Sequence, residues 1–135
     1  MLGEKIGEER GKVIGQRVLA PEGGRPRIEV TIQTTGKLLG VEYQETATYV
    51  STPGPGNALF GEGEAVMMTK DGDALSWKGI GSGKPTGRGQ ASSWRGSVCF
   101  RNLPQKFNRL AGVACVFEHE CDENGNVETK LYEWK

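Results

Sequence analysis

The side chains in this sequence best suited to acid–base chemistry are glutamates on predicted strands. Alternation with apolar residues places Glu45, Glu62 and Glu64 on the inward face of those strands. Burial in an apolar cavity raises the pKa of an unpaired carboxyl group and suits it to act as a general acid or base, whereas a paired carboxylate is structural. Among the three we expect Glu64 to contact a ligand, because Gly79 opposite it leaves room.

Aromatic and apolar side chains on the same faces are predicted to wall a pocket around these carboxyl groups. The predicted ligand-binding residues are Tyr43, Glu45, Phe60, Glu62, Glu64, Val66, Trp77 and Trp94. Side chains alone can fill the bore of an eight-stranded barrel, so the sequence leaves a hollow and a filled interior both open. It predicts no cofactor and assigns no catalytic residue.

The single histidine and the cysteines form no motif for catalysis or metal binding. His119 lies between two glutamates near a predicted turn, where we expect it to be solvated. The three cysteines are odd in number, and Cys115 and Cys121 are too far apart on one strand to form a disulfide, so we expect Cys99, Cys115 and Cys121 to be reduced, buried thiols. No clustered His/Cys spacing indicates a zinc site, and the glycine-rich stretch 79–87 lacks the residues of a phosphate-binding loop.

Length and composition indicate one soluble domain over residues 1–135. The 21 glycines favour many turns and close backbone contacts over long helices. A formal net charge of +0 and the absence of a basic stripe argue against nucleic-acid binding, and membrane binding is equally unsupported. Since the start of the chain lacks the apolar stretch of a signal peptide, we expect a cytoplasmic protein.

Alternation with a period of two residues, flanked by turn residues, predicts an all-β protein. The eight predicted strands span about 11–20, 27–35, 38–50, 58–70, 74–84, 88–101, 110–121 and 127–135. Successive hairpins favour a single eight-stranded, mostly antiparallel, up-and-down and calycin-like β-barrel. One helical turn within 102–108 is expected to pack over a barrel end.

Glycine-containing turns set the predicted register of the strands. These turns are Thr35-Gly36, Asp71-Gly72, Thr86-Gly87 and Asn124-Gly125. Pairing outward from them aligns Ile32 with Leu39, Met68 with Leu75, Gly79 with Trp94, and His119 near Lys130. Large rings then oppose glycines, as packing on a curved sheet requires. An outer apolar patch of Ala65, Met67, Ile80 and Ala91, beside an outward-pointing Arg95, predicts a homo-oligomer.

Turn and packing motifs over residues 27–135 also resemble those of known barrels. They are the glycine-rich hairpin, Ser93-Trp94-Arg95-Gly96-Ser97, Leu110-Ala111-Gly112-Val113 followed by Phe117-Glu118, and the closing Asp122-Glu123-Asn124-Gly125-Asn126. With these motifs the chain resembles a family of uncharacterised bacterial and archaeal calycin-type barrels, similar in architecture to allene oxide cyclase barrels. The resemblance implies an oligomeric barrel that holds an apolar substrate, but no cyclase motif matches residue by residue.

Three functions remain open from the sequence. The first, which we favour, is binding of an apolar, lipophilic small molecule in the barrel interior. The second is an allene-oxide-cyclase-like isomerase or cyclase, which would need proton transfer by Glu45, Glu62 or Glu64. The third is a non-catalytic oligomeric structural module with its contacts around Ile80 and Met67.

Overall fold

The computed structural model describes residues 1–135 and shows a closed antiparallel barrel in which eight strands follow one another in chain order. The strands are β1 (Leu2–Glu22), β2 (Arg25–Leu38), β3 (Val41–Pro53), β4 (Leu59–Thr69), β5 (Ala74–Pro85), β6 (Ser92–Arg101), β7 (Cys115–Cys121) and β8 (Asn126–Trp134). Short 3-10 helices span Pro55–Asn57 and Gln105–Leu110. The predicted all-β, eight-stranded, up-and-down barrel is confirmed, and none of its helices has the length and apolar composition to span a membrane.

Strand β1 is much longer than the sequence pattern predicts, since it begins at Leu2 and not near residue 11. Its first half pairs with β8 and closes the barrel, while residues from Gly7 onward also pair with β2. Register shifts between Lys5 and Gly7 and between Val13 and Gly15 interrupt the alternation of side chains. Because the alternation is interrupted, the sequence pattern does not predict the first part of this strand.

The β4–β5 hairpin contains a three-residue loop where the sequence predicts a two-residue turn. The backbone N–H of Thr69 donates to the carbonyl of Asp73 at 2.8 Å, so the loop comprises residues 70–72. As a result Leu75 pairs with Met67 and not, as predicted, with Met68. A slip of one residue moves every side chain of a strand to the opposite face of the sheet.

The slip inverts the predicted faces of β4. Ala65 and Met67 are buried, as is Ala91 at the start of β6, so the prediction that these three lie on the outer face is wrong. The inward orientation predicted for four other side chains is also wrong, because all four are exposed: Phe60, Glu62, Glu64 and Val66.

The outer face nevertheless presents exposed apolar side chains. Ile80 on β5 is 62% exposed, and further along the same hairpin Val66 and Met68 on β4 are 51% and 49% exposed. Arg95 points outward, as predicted, and pairs with Glu120 at 2.9 Å on the neighbouring strand. The homo-oligomer stays a prediction, now centred on these residues.

The β7–β8 hairpin also has a three-residue loop. The N–H of Asp122 donates to the carbonyl of Asn126 at 2.9 Å, which leaves residues 123–125 in the loop. His119 therefore pairs with Thr129 and not with the following lysine. The predicted register of this hairpin is wrong by one residue for the same reason as that of β4–β5.

The β2–β3 hairpin turns four residues later than predicted. Leu38 pairs with Val41, and the turn residues Leu39 and Gly40 have φ angles of 48° and 80°. Gly36, predicted to lie in the turn, stays within β2. The register changes by an even number of residues, so the predicted inward faces of both strands are kept.

The β5–β6 register also differs from the prediction by an even number of residues. Pro85 pairs with Ser92, which makes the connection longer than the predicted turn. Gly83, and not Gly79, faces Trp94 across the two strands. Trp94 remains on the inner face, as the sequence predicts.

One end of the barrel is closed by the β6–β7 connection. Phe107 and Leu110, from the second 3-10 helix, are 1% and 2% exposed and join a core cluster with Leu38 and Leu75. This agrees with the helical turn expected over a barrel end. A second cluster, built on residues such as Ile32, fills the opposite half.

All three cysteines are free thiols. Cys115 and Cys121 are buried on β7, as expected, whereas Cys99 is exposed, contrary to the expectation. Burial raises the pKa of the Cys115 thiol to about 11, so this thiol stays protonated at neutral pH.

Candidate functional site in the barrel interior

A cavity of about 100 Å³ lies inside the barrel where the two core clusters meet. Leu38 and Met67 line it from one cluster, and Ile32 and Ala47 from the other. It is smaller than the cavity of about 150 Å³ that holds a benzene molecule in another protein. The interior is therefore hollow, but only wide enough for a small molecule.

Glycines at inward positions of β4 and β5 leave room for the rings around the cavity. Four glycines line it: Gly61, Gly63, Gly79 and Gly81. A Cβ atom added at Gly61 would lie 2.9 Å from the ring of Trp94, and one at Gly81 would lie 2.9 Å from the ring of Phe117. The predicted packing of rings against glycines thus occurs, although with partners other than those predicted.

Two glutamates, Glu9 from β1 and Glu45 from β3, line the cavity together. Glu45 is 3% exposed, and Glu9 is half-buried. Gly36, on the strand between them, has no side chain to separate them, and a Cβ there would lie 2.8 Å from the Cβ of Glu9. Burial and the adjacent Glu9 carboxylate raise the pKa of Glu45 well above its usual value. The raised pKa favours the protonated form of Glu45.

Three donors from the chain fix the orientation of this carboxyl pair. Trp77 Nε1 donates to Glu45 Oε1 at 2.7 Å, and Thr34 Oγ1 donates to Glu45 Oε2 at 3.2 Å. Tyr43 Oη donates to Glu9 Oε1 at 2.8 Å. No lysine or arginine forms an ion pair with either glutamate.

His119 lines the same cavity and has one ring nitrogen without a partner. It is 7% exposed, so the expectation of a solvated histidine is wrong. Its Nδ1 lies 2.6 Å from Thr129 Oγ1, while its Nε2 is buried without a hydrogen bond. Strand pairing sets Glu9, Thr129 and His119 side by side on β1, β8 and β7. Burial lowers the pKa of His119, so the ring is neutral at pH 7.

Five of the eight predicted site residues line the cavity: Tyr43, Glu45, Glu62, Trp77 and Trp94. Glu62 is exposed nevertheless, as are Phe60, Glu64 and Val66. Phe60, Glu62 and Glu64 line a solvent-open depression of about 1200 Å³ on the outer surface. Ligand binding by any of the eight stays a prediction.

Sequence reasoning missed Glu9 and His119. Glu9 precedes the first predicted strand, and the register shifts of β1 conceal its inward position. The position of His119 could have been predicted, because it is an even number of residues from Cys115 and Cys121. On one strand these three side chains lie on the same face of the sheet. Two cysteines expected to be buried would have placed the histidine on the inner face.

The arrangement joins a protonated carboxyl group to a neutral imidazole in one cavity. Such a combination can recognise a polar group by hydrogen bonding, and it can supply both an acid and a base. The structure contains no group of three or more His, Cys, Asp or Glu side chains that could hold a metal ion.

Comparison with known proteins adds information on the fold. No protein-family model and no curated protein matches this chain. A conserved protein of unknown function from Rhodopseudomonas palustris matches with a TM-score of 0.81 and 13% identity, over 98% of this chain and 97% of that one. A protein with unknown function from Clostridium acetobutylicum gives a TM-score of 0.81 and 12% identity, over 96% of each chain. A beta-barrel like protein from Acinetobacter baumannii matches with a TM-score of 0.82 and 10% identity, over 100% of this chain and 96% of that one.

These similarities extend over whole chains, so the complete barrel recurs in other bacterial proteins of unknown function. Sequence identities this low show the fold alone. The likeness to calycins and allene oxide cyclases stays a prediction.

Proposed function

We propose that the barrel interior binds a small molecule with an apolar body and one polar end, and that the polar end lies at the Glu9–Glu45 pair and His119. The observation that carries the proposal is the unpartnered Nε2 of His119 beside a cavity. Buried polar atoms in folded proteins are nearly always hydrogen-bonded, so an unpaired one calls for an explanation. A bound molecule would supply the missing partner.

The size and lining of the cavity define the expected ligand. A cavity of about 100 Å³ accommodates about four to six non-hydrogen atoms. Apart from the polar end its walls are apolar, with Trp77, Trp94 and Phe117 as the large surfaces. These properties favour a compact molecule and do not suit a long lipid chain.

Small neutral molecules such as cyclopentane and tert-butanol are expected to shift the indole N–H resonances of Trp77 and Trp94 in NMR spectra. Trp134 is 53% exposed and serves as an internal control whose resonance should not move. Substitution of Ala47→Met should fill the cavity and abolish the shifts. The matched substitution Thr46→Met, on the outer face of the same strand, should preserve them.

Two observations together would contradict the proposal. One is that no compound of this size, neutral or charged, moves either interior tryptophan resonance. The other is that native mass spectrometry of freshly purified protein detects no bound small molecule.

The opposed pKa shifts of Glu45 and His119 favour a second candidate function, that of an isomerase acting by proton transfer. Glu45 has a raised pKa and His119 a lowered one, and both line one cavity. The imidazole would remove a proton from the carbon between the carbonyl group and the double bond of a β,γ-unsaturated ketone, while Glu45 donates its proton to the carbonyl oxygen to form a dienol. The imidazolium would then return the proton to the far carbon of the dienol as the enol O–H returns its proton to Glu45, which gives the conjugated ketone.

Deuterium exchange tests this second function without knowledge of the natural substrate. In D2O the protein should accelerate exchange of the α-hydrogens of cyclopentanone, followed by NMR. Glu45→Gln should lower the accelerated rate by about tenfold or more. Glu42→Gln, three residues away on the outer face of β3, should leave it unchanged. Equal rates in the two variants would exclude Glu45 as the acid.

A further inference from the structure

We propose that the interior site selects a small organic monocation, such as a protonated amine or a quaternary ammonium ion, over a neutral molecule of the same shape. The inference rests on the proposed binding function and specifies the chemical class of the ligand. It depends on the charge of the site, on the aromatic walls and on the free nitrogen of His119.

The acidic side chains of the site have no basic partner within the chain. Glu9 and Glu45 line the cavity, and no lysine or arginine forms an ion pair with either of them. A buried charge is costly unless an opposite charge accompanies it. A cation in the adjacent cavity would provide that charge.

Aromatic rings form a substantial part of the cavity wall. Six aromatic residues line it: Tyr43, Tyr49, Trp77, Trp94, Phe100 and Phe117. Tyr49 and Trp94 pack edge to face, with their centroids 5.7 Å apart. The negative face of an aromatic ring attracts cations, and tryptophan does so most strongly. Rings beside an anionic pair therefore favour a cation over a neutral body of equal size.

His119 adds a third, independent feature. Its ring is neutral, so it does not repel a cation, and its Nε2 lacks a hydrogen-bond partner. When Nδ1–H donates to Thr129 Oγ1, Nε2 is left as an acceptor facing a ligand donor. The N–H group of a protonated amine matches that acceptor.

The lining also disfavours anions and metal ions. No lysine or arginine lines the cavity, so a carboxylate or phosphate would meet only negative charge. The chain offers no set of three or more His, Cys, Asp or Glu ligands for a metal ion. An organic cation is the remaining class of charged ligand.

The test compares tert-butylammonium chloride with tert-butanol at pH 7, since the two differ in charge and hardly in shape. Titrations follow the indole resonances of Trp77 and Trp94. The ammonium ion is expected to bind about tenfold more tightly or better.

Substitution of Glu9→Gln removes the charge but keeps an acceptor for Tyr43, and the ammonium preference should disappear. Glu42→Gln, an exposed position, should retain the preference. If Glu9→Gln does not fold, the comparison of the two ligands on the unmodified protein decides.

The possible failures are distinguishable. Equal affinity for the two compounds, or a preference that persists in Glu9→Gln, would overturn the inference of a cation while binding in the interior stands. If neither compound moves the interior tryptophan resonances, both the inference and the proposed function fail.

Discussion

Substitution of Gly11→Ala is expected to lower the free energy of unfolding by about 3 kcal/mol or more, or to prevent folding. A Cβ at this position would lie 1.9 Å from the carbonyl oxygen of Gln33 and 2.7 Å from the Cα of Thr34. Both atoms belong to the backbone of β2, so no rotation of a side chain relieves the clash. Urea denaturation followed by tryptophan fluorescence measures the loss.

Gly15→Ala is the matched control on the same strand. No heavy atom lies within 4 Å of a Cβ built there. We expect no loss of stability, and a gain of about 0.4 to 1 kcal/mol if the unfolded chain loses conformational freedom. Similar losses at Gly11 and Gly15 would show that the close approach of β1 to β2 is not what makes glycine necessary.

Glu45→Gln is expected to stabilise the barrel, by an amount that grows with pH. The pKa of Glu45 is raised in the folded state, so above the ordinary glutamate pKa of 4.5 the unfolded chain releases a proton that the barrel retains. The free energy of unfolding of the unmodified protein therefore falls as pH rises, by up to about 1.4 kcal/mol per pH unit. Glutamine resembles the protonated acid and has no such dependence.

His119 makes the free energy of unfolding change with pH in the opposite direction. Its pKa is lowered in the folded state, so below 6.5 the unfolded chain binds a proton that the barrel does not. In the unmodified protein the two slopes oppose each other between about pH 4.5 and 6.5, and the fall due to Glu45 remains at higher pH. In Glu45→Gln only the rise due to His119 should be left.

Urea denaturation at pH 4.5 and at pH 8 checks this expectation. The stability difference between Glu45→Gln and the unmodified protein should be small at the lower pH and large at the higher one. A difference that stays constant with pH would mean that Glu45 does not hold an extra proton in the barrel.

Much of the fold follows from local sequence patterns. Period-two alternation identified the central strands, and it placed Tyr43, Glu45, Trp77 and Trp94 on the inner face, because the loop lengths of their hairpins differ from prediction by even numbers. Turn residues located the hairpins correctly in most cases.

The two errors of register by one residue, in β4–β5 and β7–β8, have the same physical source. Asp-Gly and Asn-Gly dipeptides indicate a turn but do not distinguish a two-residue loop from a three-residue loop. In both three-residue loops glycine takes a positive φ, 89° at Gly72 and 80° at Gly125. That extra residue reversed β4 and concealed the inward position of His119.

The polar site itself could not be predicted from local sequence patterns. Glu9, Glu45 and His119 lie on three strands that are distant in sequence, and β1 reaches β7 only through closure on β8. The approach of Glu9 to Tyr43 and Glu45 also requires Gly36 on the strand between them. Contacts of this kind depend on the closed barrel, which no single hairpin specifies.

The 3-10 helix that carries Phe107 and Leu110 has a consequence for how a guest would be exchanged. Because that helix covers one end of the barrel, a molecule bound in the interior would not enter or leave through that end.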